Sequence, residues 1–490
     1  MSLKAATPPE ILAQYELVIG LEVHVQLSTR TKIFCSCPVE FGNAPNTNVC
    51  PVCLGLPGAL PVLSKPAVEL AIRGALALHC DVQNESIFSR KNYFYPDLPK
   101  GYQISQFDKP LALRGWVDIT LPTGIKRIGI TRIHMEDDAG KSQHDGFRDS
   151  EKFTYVDLNR SGTPLIEIVS DPDMRSSEEA FQYVTELKQA LQFADVSTCD
   201  MEKGHLRCDA NVSVRRKGAE KLGTRAEIKN VNSFRFLKQA IEYEFERQVG
   251  IVESGGRIIQ ETRLYNADSG ETVSMRSKEE AHDYRYFPEP DLIPLRIGHE
   301  WLARVQSEMP ELPQAKRARF ISEYGLRPYD ADVLTLIREN SEYYERAAAA
   351  SKDPKSVANW VMGDLAGLLK AAGKEIGESP IPPQHIGELV DLIGGGELTG
   401  KLAKEIFPKM FETGDAPRAI MEREGLKQIS DTGALEKLAD EVIANNPKQV
   451  EQYKGGKTTV IGFLVGAVMK ASRGQANPAT VSQILAEKLK

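Results

Sequence analysis

The sequence Ile19–Leu27, IGLEVHVQL, alternates between apolar and polar residues and decides the fold of the first part of the chain. This period of two predicts a β-strand whose apolar side covers a core. On the opposite side, Glu22 and His24 lie two positions apart, which places them about 7 Å from each other. One metal ion or one polar ligand bridges such a gap, so the strand is a candidate wall of a binding site. The alternative is a half-buried strand whose polar side faces solvent.

Length and composition indicate a multidomain protein. The chain has 490 residues, 41% of them hydrophobic and 26% charged, and a formal net charge of −7. One core rarely serves a chain of this length, so we expect about two to four domains. The mild acidity argues against a general nucleic-acid coat but allows a local basic patch. Residues 1–14 lack the apolar run of a secretion signal, and no later run is long enough to span a membrane, so we expect a cytoplasmic protein.

Four of the seven cysteines follow this strand in the pattern C-x-C-x12-C-x2-C. In a reducing compartment, clustered cysteines are metal ligands more often than disulfides. Four thiolates form a closed tetrahedral set, so the pattern predicts a structural zinc site without a catalytic position. A reduced loop without metal is the alternative. The predicted ligands are Cys35, Cys37, Cys50 and Cys53, and the scattered cysteines, predicted to be core residues, are Cys80, Cys199 and Cys208.

Local patterns predict the elements that flank these residues. Helices are expected at residues 65–78 and 176–193, and the second begins with a Ser-Ser-Glu-Glu sequence typical of capping. Residues 116–133 alternate as a hairpin that turns at Pro122-Thr123-Gly124. Residues 90–106, RKNYFYPDLPKGYQISQ, mix aromatic and basic side chains. Such a mixture suits either a pocket for a phosphate and a base or a plain aromatic loop packed on a sheet.

Carboxylates stand out in two segments. The sequence His134–Lys141, HMEDDAGK, contains three consecutive carboxylates at residues 136–138, which repel one another unless cations or water share the charge. This run predicts either a hard-cation site or a solvated turn. Glu167 lies within the apolar strand sequence Pro164–Val169, where an unpaired carboxylate is costly. Glu167 is therefore a candidate ligand, and an outward-facing residue of an edge strand is the alternative.

Later segments predict a cavity and the remaining domains. Residues 205–215 and 225–233 return to strand periodicity with polar residues on one side, which predicts a sheet that lines a cavity. From residue 296 the pattern is helical. Residues 446–490 carry seven Lys or Arg against two Glu, so this end is the candidate for contacting nucleic-acid phosphates. We therefore predict an α+β protein with a β-rich catalytic domain at 1–295, a helical domain at 296–410 and a helical tail at 411–490.

Six long motifs together resemble one family, the B subunits of the bacterial and organellar tRNA-dependent amidotransferases. The motifs run through nearly the whole chain, so chance agreement is remote. They are GLEVHVQL, RKNYFYPDLPKGYQISQ, HMEDDAGK, VDLNRSGTPLIEIVS, RCDANVS and GFLVGAVMKASRGQANP. The resemblance implies a cradle-like catalytic domain, a helical domain and a small helical tail, and the basic residues of that tail make it the part expected to bind tRNA.

The resemblance also implies an activity. Members of the family convert Glu-tRNA(Gln) to Gln-tRNA(Gln), or Asp-tRNA(Asn) to Asn-tRNA(Asn). The B subunit phosphorylates the side-chain carboxylate of the mischarged amino acid with ATP, and ammonia then displaces the phosphate. A separate amidase subunit releases the ammonia from glutamine, and a small stabilising subunit completes the heterotrimer. The alternative is a non-catalytic module that only holds tRNA within a multisubunit complex.

Residue roles follow from the resemblance as well. The magnesium site of the family maps onto Glu22, His24, Asp137 and Glu167 of this chain. Members often carry Glu where this chain has Asp137, and the shorter side chain implies coordination through water at that position. An oxygen-rich site with one imidazole suits Mg²⁺, which keeps several waters and bridges phosphates. Zinc is expected to stabilise the fold, because some members lack the cysteines. The basic residues expected to neutralise the ATP phosphates are Lys91, Lys100 and Lys229.

Overall fold

The computed structural model describes residues 7–144, 146, 148–275, 284–425, 432–472 and 475–489. Contacts divide the described chain into two compact units, with the division between Leu312 and Pro313. The first unit combines β-sheets with helices, and the second unit is helical. The predicted α+β class is therefore confirmed.

The elements are numbered in chain order. The strands are β1 (Tyr15–Gln26), β2 (Asp81–Val82), β3 (Glu85–Ser86), β4 (Phe88–Asn92), β5 (Tyr102–Gln106), β6 (Ala112–Leu121), β7 (Gly124–Asp137), β8 (Lys141–Gln143), β9 (Tyr155–Asp157), β10 (Pro164–Ser170), β11 (Leu206–Arg216), β12 (Ala226–Lys229), β13 (Thr262–Asn266), β14 (Glu271–Ser274), β15 (Phe287–Pro288) and β16 (Leu295–Arg296). The helices are α1 (Pro9–Leu12), α2 (Lys65–Ala77), α3 (Ser177–Phe193), α4 (Phe234–Glu253), α5 (His299–Ser307), α6 (Pro313–Ser322), α7 (Pro328–Leu334), α8 (Arg338–Ala348), α9 (Pro354–Trp360), α10 (Ala366–Ala372), α11 (Pro383–Gly394), α12 (Gly400–Thr413), α13 (Pro417–Glu424), α14 (Thr432–Asn445), α15 (Pro447–Lys454), α16 (Ile461–Ala471) and α17 (Pro478–Lys488).

Within the described residues, nine strands form the main sheet in the order β14-β13-β12-β11-β1-β10-β7-β6-β2. β1 lies inside this sheet and pairs antiparallel with β11 on one side and with β10 on the other. β10 pairs antiparallel with β7 in turn, whereas β12 and β13 are parallel. The strand predicted at residues 19–27 therefore lies in the interior of the sheet, with a paired strand on each side.

The two sides of the main sheet differ in chemistry. Val23 and Val25 of β1 and Ile168 of β10 are fully buried in an apolar core. Helices α2, α3 and α4 cover this side. The packing is close, since a Cβ built on Gly74 of α2 would lie 3.1 Å from Cδ1 of Ile166. The alternation of the strands therefore separates a helix-covered core from a polar side that carries the charged residues.

Several local predictions are confirmed, and one is wrong. α2 and α3 form where helices are predicted, and the Ser176 side chain accepts a hydrogen bond from the Glu179 backbone N–H at 3.1 Å. β6 and β7 form the predicted hairpin. The solvated-turn interpretation of residues 136–138 is wrong, because β7 continues to Asp137 and all three carboxylates are buried.

The unit boundaries differ from those predicted at residues 295 and 410. The first unit extends to Leu312, because α5 packs on α2, where Trp301 Nε1 donates a hydrogen bond to Glu69 at 3.0 Å. In the described part of the second unit, one apolar core includes Ile420 of α13, and a separate core begins with Leu435 of α14. α12 crosses residue 410, so the tail core starts later than predicted.

We predict that Ile168→Ala lowers the free energy of unfolding by about 3 kcal/mol, because it opens a cavity beneath the main sheet. Val169→Ala is the matched control, since Val169 belongs to the same strand but faces the polar side and is partly exposed. Its cost is expected to be much smaller. Urea denaturation of both variants measures the difference, and equal losses would contradict this assignment of the two sides.

Candidate active site

Three strands bring imidazole and carboxylate groups together on the polar side of the main sheet. In the antiparallel register, His24 of β1 lies opposite Glu167 of β10, and Glu167 lies opposite His134 of β7. Directly paired residues share one side of a sheet. Glu136, two positions after His134, faces the same side. Strand register alone therefore assembles these four residues, termed here the carboxylate–histidine cluster.

Short contacts connect the cluster. Nδ1 of His24 lies 3.0 Å from Oε1 of Glu136 and 3.9 Å from Oε2 of Glu167. Nε2 of His134 lies 3.1 Å from Oε2 of Glu167 and 3.9 Å from Oε2 of Glu136. One ligand atom from each of His24, Glu136 and Glu167 lies within 4.8 Å of the others, so one metal ion fits between them. Nδ1 of His134 is buried and has no hydrogen-bond partner among the described residues.

Burial and charge together set the ionisation of the cluster. Burial disfavours the charged form of His24, but the hydrogen bond and charge of Glu136, with the charge of Glu167, raise its pKa to about 9. Burial also disfavours ionised Glu167, but His134, His24 and Lys91 outweigh it and hold its pKa well below the usual value. The cluster therefore holds a buried carboxylate compensated by cationic groups, an arrangement in which a divalent cation can take the place of protons.

Asp137 does not join this cluster, so the predicted ligand set is wrong at that position. It follows Glu136 directly in β7 and therefore points to the opposite side of the sheet. There it is buried, pairs with Nζ of Lys100 and accepts a hydrogen bond from the Ile104 backbone N–H at 2.8 Å. Because the Lys100 ammonium is engaged there, Lys100 is not placed to contact a phosphate at the cluster, contrary to the expectation.

Glu22 shares the polar side with His24 but lies outside the group of close ligand atoms. Its Oε1 accepts a hydrogen bond from Nδ2 of Asn211 at 2.9 Å. With Asn211 and Glu227 it lines a cavity of about 90 Å³. Burial, followed by the charges of Glu167 and Glu227, raises the pKa of Glu22. Glu22 therefore forms a wall beside the cluster rather than part of its centre.

The two other predicted phosphate-binding lysines lie in different surroundings. Nζ of Lys229 is 2.7 Å from Oδ2 of Asp209 and 3.1 Å from Oε1 of Glu227, so carboxylates already balance its charge. Nζ of Lys91 lies 4.9 Å from the ring centroid of Tyr284. Burial opposes the charge of Lys91, but Glu136 leads the groups that raise its pKa. Of the three lysines, Lys91 is therefore the one whose charge is set by the cluster itself.

The cysteine motif forms a second candidate metal site. The four sulfur atoms lie within 4.8 Å of one another. Sγ of Cys53 is 3.9 Å from Sγ of Cys50, near the ~3.8 Å expected between thiolates on one tetrahedral zinc. A hydrogen bond with Cys35 is the main cause that lowers the pKa of Cys53 to about 4, and the buried Lys32, with Nζ 3.5 Å from the Cys53 sulfur, adds to it. The donor set therefore fits a closed thiolate site.

The loop that carries these cysteines is anchored to the segment that leads into β10. The Leu158 backbone N–H donates to Oδ1 of Asn46 at 2.8 Å, and the Asn48 backbone N–H donates to Oδ1 of Asn159 at 2.8 Å. These bonds tie the cysteine loop to the chain just before Glu167.

Sequence reasoning did not assign His134 to the cluster, and it included Glu136 only in the carboxylate run that is predicted to be either a hard-cation site or a solvated turn. Both belong to the HMEDDAGK motif, and strict alternation from His134 places Glu136 on its side of the strand. The run of carboxylates favours the prediction of a turn. With a turn predicted there, the alternation of side chains along a strand is not applied to these residues. The signal that identifies both residues is therefore their two-residue spacing on a strand that continues through the carboxylates.

The fold and the site define a class of protein: an α+β protein with a buried cluster of carboxylates and histidines on one side of a sheet, followed by a helical unit. Comparison with known proteins identifies the particular family. A family model described as the GatB/GatE catalytic domain matches residues 17–303, and one described as the GatB domain matches residues 342–489. The chain belongs to the GatB family, the B subunits of amidotransferases, and the predicted resemblance is confirmed.

Curated relatives agree with this family over almost the whole chain. The aspartyl/glutamyl-tRNA(Asn/Gln) amidotransferase B subunit of Carboxydothermus hydrogenoformans is 57% identical, over 98% of this chain and 99% of the relative. The protein of the same name from Persephonella marina is 55% identical, over 97% of this chain and 100% of the relative. In the part of the chain that the structure describes, no helix is long and apolar enough to cross a membrane.

We predict that Glu136→Gln weakens binding of Mn²⁺ at least tenfold, because it removes a carboxylate from the cluster. Asp137→Asn is the matched control on the neighbouring residue. It is expected to leave Mn²⁺ binding unchanged and to lower the free energy of unfolding by about 3 kcal/mol, because Lys100 loses its buried partner. Electron paramagnetic resonance titration and urea denaturation measure the two effects. An equal loss of Mn²⁺ binding in both variants would contradict the division of β7 into two sides.

Proposed function

We propose that this chain is the subunit of a tRNA-dependent amidotransferase that activates the side-chain carboxylate of Glu-tRNA(Gln) or Asp-tRNA(Asn) with ATP. The observation that carries this proposal is the convergence of His24, Glu136 and Glu167 on the polar side of the main sheet. The substrate carboxylate attacks the γ-phosphate and forms an acyl phosphate, so the chain needs no nucleophile of its own. Ammonia then displaces the phosphate and leaves the amide. The task of the protein is positioning and charge neutralisation.

The cluster fits a divalent cation such as Mg²⁺, because two buried carboxylates and an imidazole converge within 4.8 Å. His24, Glu136 and Glu167 would hold the ion, which would supply charge neutralisation to the nucleotide phosphates. His134 donates to Glu167 from the β7 side and so orients that carboxylate. Glu22, on the same side of the sheet, would act through water.

Lys91 is the proposed phosphate ligand of the chain itself. Its ammonium lies above the Tyr284 ring, and the neighbouring rings of Phe107 and Tyr286 are stacked with centroids 4.1 Å apart. An aromatic wall beside a cation suits a nucleotide, which combines a flat base with anionic phosphates. This arrangement favours the pocket interpretation of residues 90–106 over a plain loop.

The remaining parts of the reaction are assigned to partners and to structural elements. An amidase subunit supplies ammonia from glutamine, and a small subunit stabilises the heterotrimer. The curated relatives are themselves B subunits, which supports a multisubunit complex. The cysteine site is proposed to bind a structural zinc, because four thiolates leave no open position for a substrate.

The helical tail is proposed to bind tRNA. Five lysines of its basic segment, residues 446–490, are exposed, and positive charge on exposed helices suits phosphate contacts. Arg473 and Lys490, which contribute to the predicted basic patch, lie outside the described residues. The exposed lysines are Lys448, Lys454, Lys457, Lys470 and Lys488.

We predict that Glu167→Ala, tested in the assembled complex, lowers tRNA-dependent ATP hydrolysis about a hundredfold or more, because it removes a central carboxylate of the cluster. The affinity for tRNA is expected to stay nearly intact. Glu178→Gln is the control, since Glu178 lies on α3 and pairs with Lys238 at the surface. Retained hydrolysis, or an equal loss of tRNA binding, would refute the assignment of ATP-dependent activation to this chain.

A second prediction concerns the tail. Truncation after Gly425 is expected to weaken tRNA binding and to spare glutaminase activity in the partner, because the basic patch is lost and the preceding helical core is kept. A cut at residue 410 is less suitable, since it removes Ile420 and Met421 from that core. Filter binding of tRNA and glutamine hydrolysis measure the two activities. Unchanged tRNA affinity would show that the patch has no role in binding.

A further inference from the structure

We propose that Phe41, Arg160 and Arg207 bind the unpaired 3′ end of the tRNA, with a base on the phenyl ring and a phosphate on the two guanidinium groups. This inference rests on the function proposed above, because it names a contact with that substrate outside the carboxylate–histidine cluster. Arg160 and Arg207 lie within two of the motifs quoted above, but the sequence analysis assigned no role to either of them or to Phe41.

Arg160 and Arg207, termed the arginine pair, converge on one buried carboxylate. Nε of Arg160 lies 2.8 Å from Oδ2 of Asp138, and Nη2 of Arg207 lies 3.0 Å from Oδ1 of Asp138. The Asp138 side chain is 5% exposed, whereas the arginine side chains are 31% and 36% exposed. Two guanidinium groups therefore share one buried carboxylate, and both arginine side chains are partly open to solvent. The planar donor fork of arginine matches the oxygens of a phosphate.

The arginine pair lies beside the candidate active site. Arg207 is directly opposite His24 in the register of β1 and β11, so the two side chains share the polar side of the sheet. Asp138 contacts Arg207 through Nη2, and further N–H donors of that guanidinium remain for a ligand. An anion on this pair would therefore lie next to the cluster.

An exposed aromatic ring lies in the region of the arginine pair. Phe41, in the cysteine loop, is 68% exposed, although a side chain of this size is usually covered. Its ring lies against His205, with centroids 6.4 Å apart and planes at 87°. Gly204, next to His205, lies beside the arginine pair, since a Cβ built there would be 3.6 Å from Nη1 of Arg160. The ring is therefore connected to the arginine pair through the neighbouring residues Gly204 and His205.

This combination selects an unpaired nucleotide. In a duplex the base faces are covered by neighbouring base pairs, so a protein ring stacks only on unpaired bases. In an aminoacyl-tRNA, the unpaired 3′ end carries the amino acid whose carboxylate has to reach the cluster. The hydrogen bonds of Asn46 and Asn48 to the segment before β10 hold the loop of Phe41 against the same sheet. The two parts of the site are therefore held on one scaffold.

The test uses the full-length chain and two RNA probes without ATP: intact tRNA(Asn) or tRNA(Gln), and the same tRNA lacking its unpaired 3′ end. Phe41→Ala is expected to weaken binding of the intact tRNA about tenfold, the size of one base–aromatic stack, without changing its salt dependence. Phe41→Trp is expected to retain binding. Arg160→Gln is expected to weaken binding and to lower the slope of log affinity against log salt by about 0.7, the share of one single-strand phosphate. Neither loss is expected with the truncated tRNA.

Arg114→Gln is the matched control. Arg114 is an arginine with a 79% exposed side chain on β6, which lies next to the edge strand β2 and is separated from β1 by β7 and β10. This variant is expected to leave the affinity for both RNA probes unchanged. Equal weakening of intact and truncated tRNA in the site variants would overturn the proposal, and so would unchanged affinity for intact tRNA. A loss of ATP affinity in Arg160→Gln, measured without tRNA, would assign the pair to the nucleotide instead. Phe41 is a surface residue, so its variant keeps the test decisive if Arg160→Gln fails to fold. The tRNA assays contain no ATP, so they test the tRNA contact alone. A failure of the proposed ATP-dependent activation would therefore not change their result.

Discussion

The cross-strand register around β1 is the constraint on which the rest of the site depends. Because side chains alternate across a strand, a slip of one residue between β1 and β10 would move Glu167 into the core and Ile168 onto the polar side. Burial of each large apolar side chain contributes roughly 1.5–3 kcal/mol, so the apolar face strongly favours a single register. Val23, Val25 and Ile168 therefore position the cluster without touching it. The fold brings together groups that would not associate on their own.

The cost of that assembly argues for a chemical role. Glu136 and Glu167 are 3% and 8% exposed, and adjacent buried carboxylates disfavour ionisation. His24 and His134 compensate this charge, yet a compensated buried ion pair is often no more stabilising than apolar residues of the same volume. Stability of the sheet alone therefore does not explain a buried cluster of carboxylates and histidines. The cluster is therefore better explained by what it binds than by what it adds to the fold.

Much of the architecture follows from the sequence, and the failures have a common physical cause. The alternation of IGLEVHVQL, the carboxylate of Glu167 in an apolar strand and the cysteine spacing each depend on local pattern, and each is placed where that pattern predicts. The assignment of Asp137 rests on the family resemblance, whereas the direction of its side chain depends on whether β7 continues through the carboxylates. Lys100 precedes β5 and its partner Asp137 ends β7, and no local signal in the sequence identifies this pair. Long-range pairing, which sequence pattern does not contain, decides these positions.

Neighbouring residues of β7 serve two separate sites. Glu136 faces the carboxylate–histidine cluster, whereas Asp137 lines a cavity of about 110 Å³ with Lys32, Cys53 and Lys100 on the side of the cysteine loop. The cysteine site therefore adjoins β7 through this cavity, and it shares no ligand with the cluster. A closed thiolate site in this position acts on the reaction only through geometry, because its loop is bonded to the segment from which β10 starts. The register of β1, β7 and β10 assembles the cluster without a ligand from the cysteine loop, so other packing of the segment before β10 could serve the same purpose.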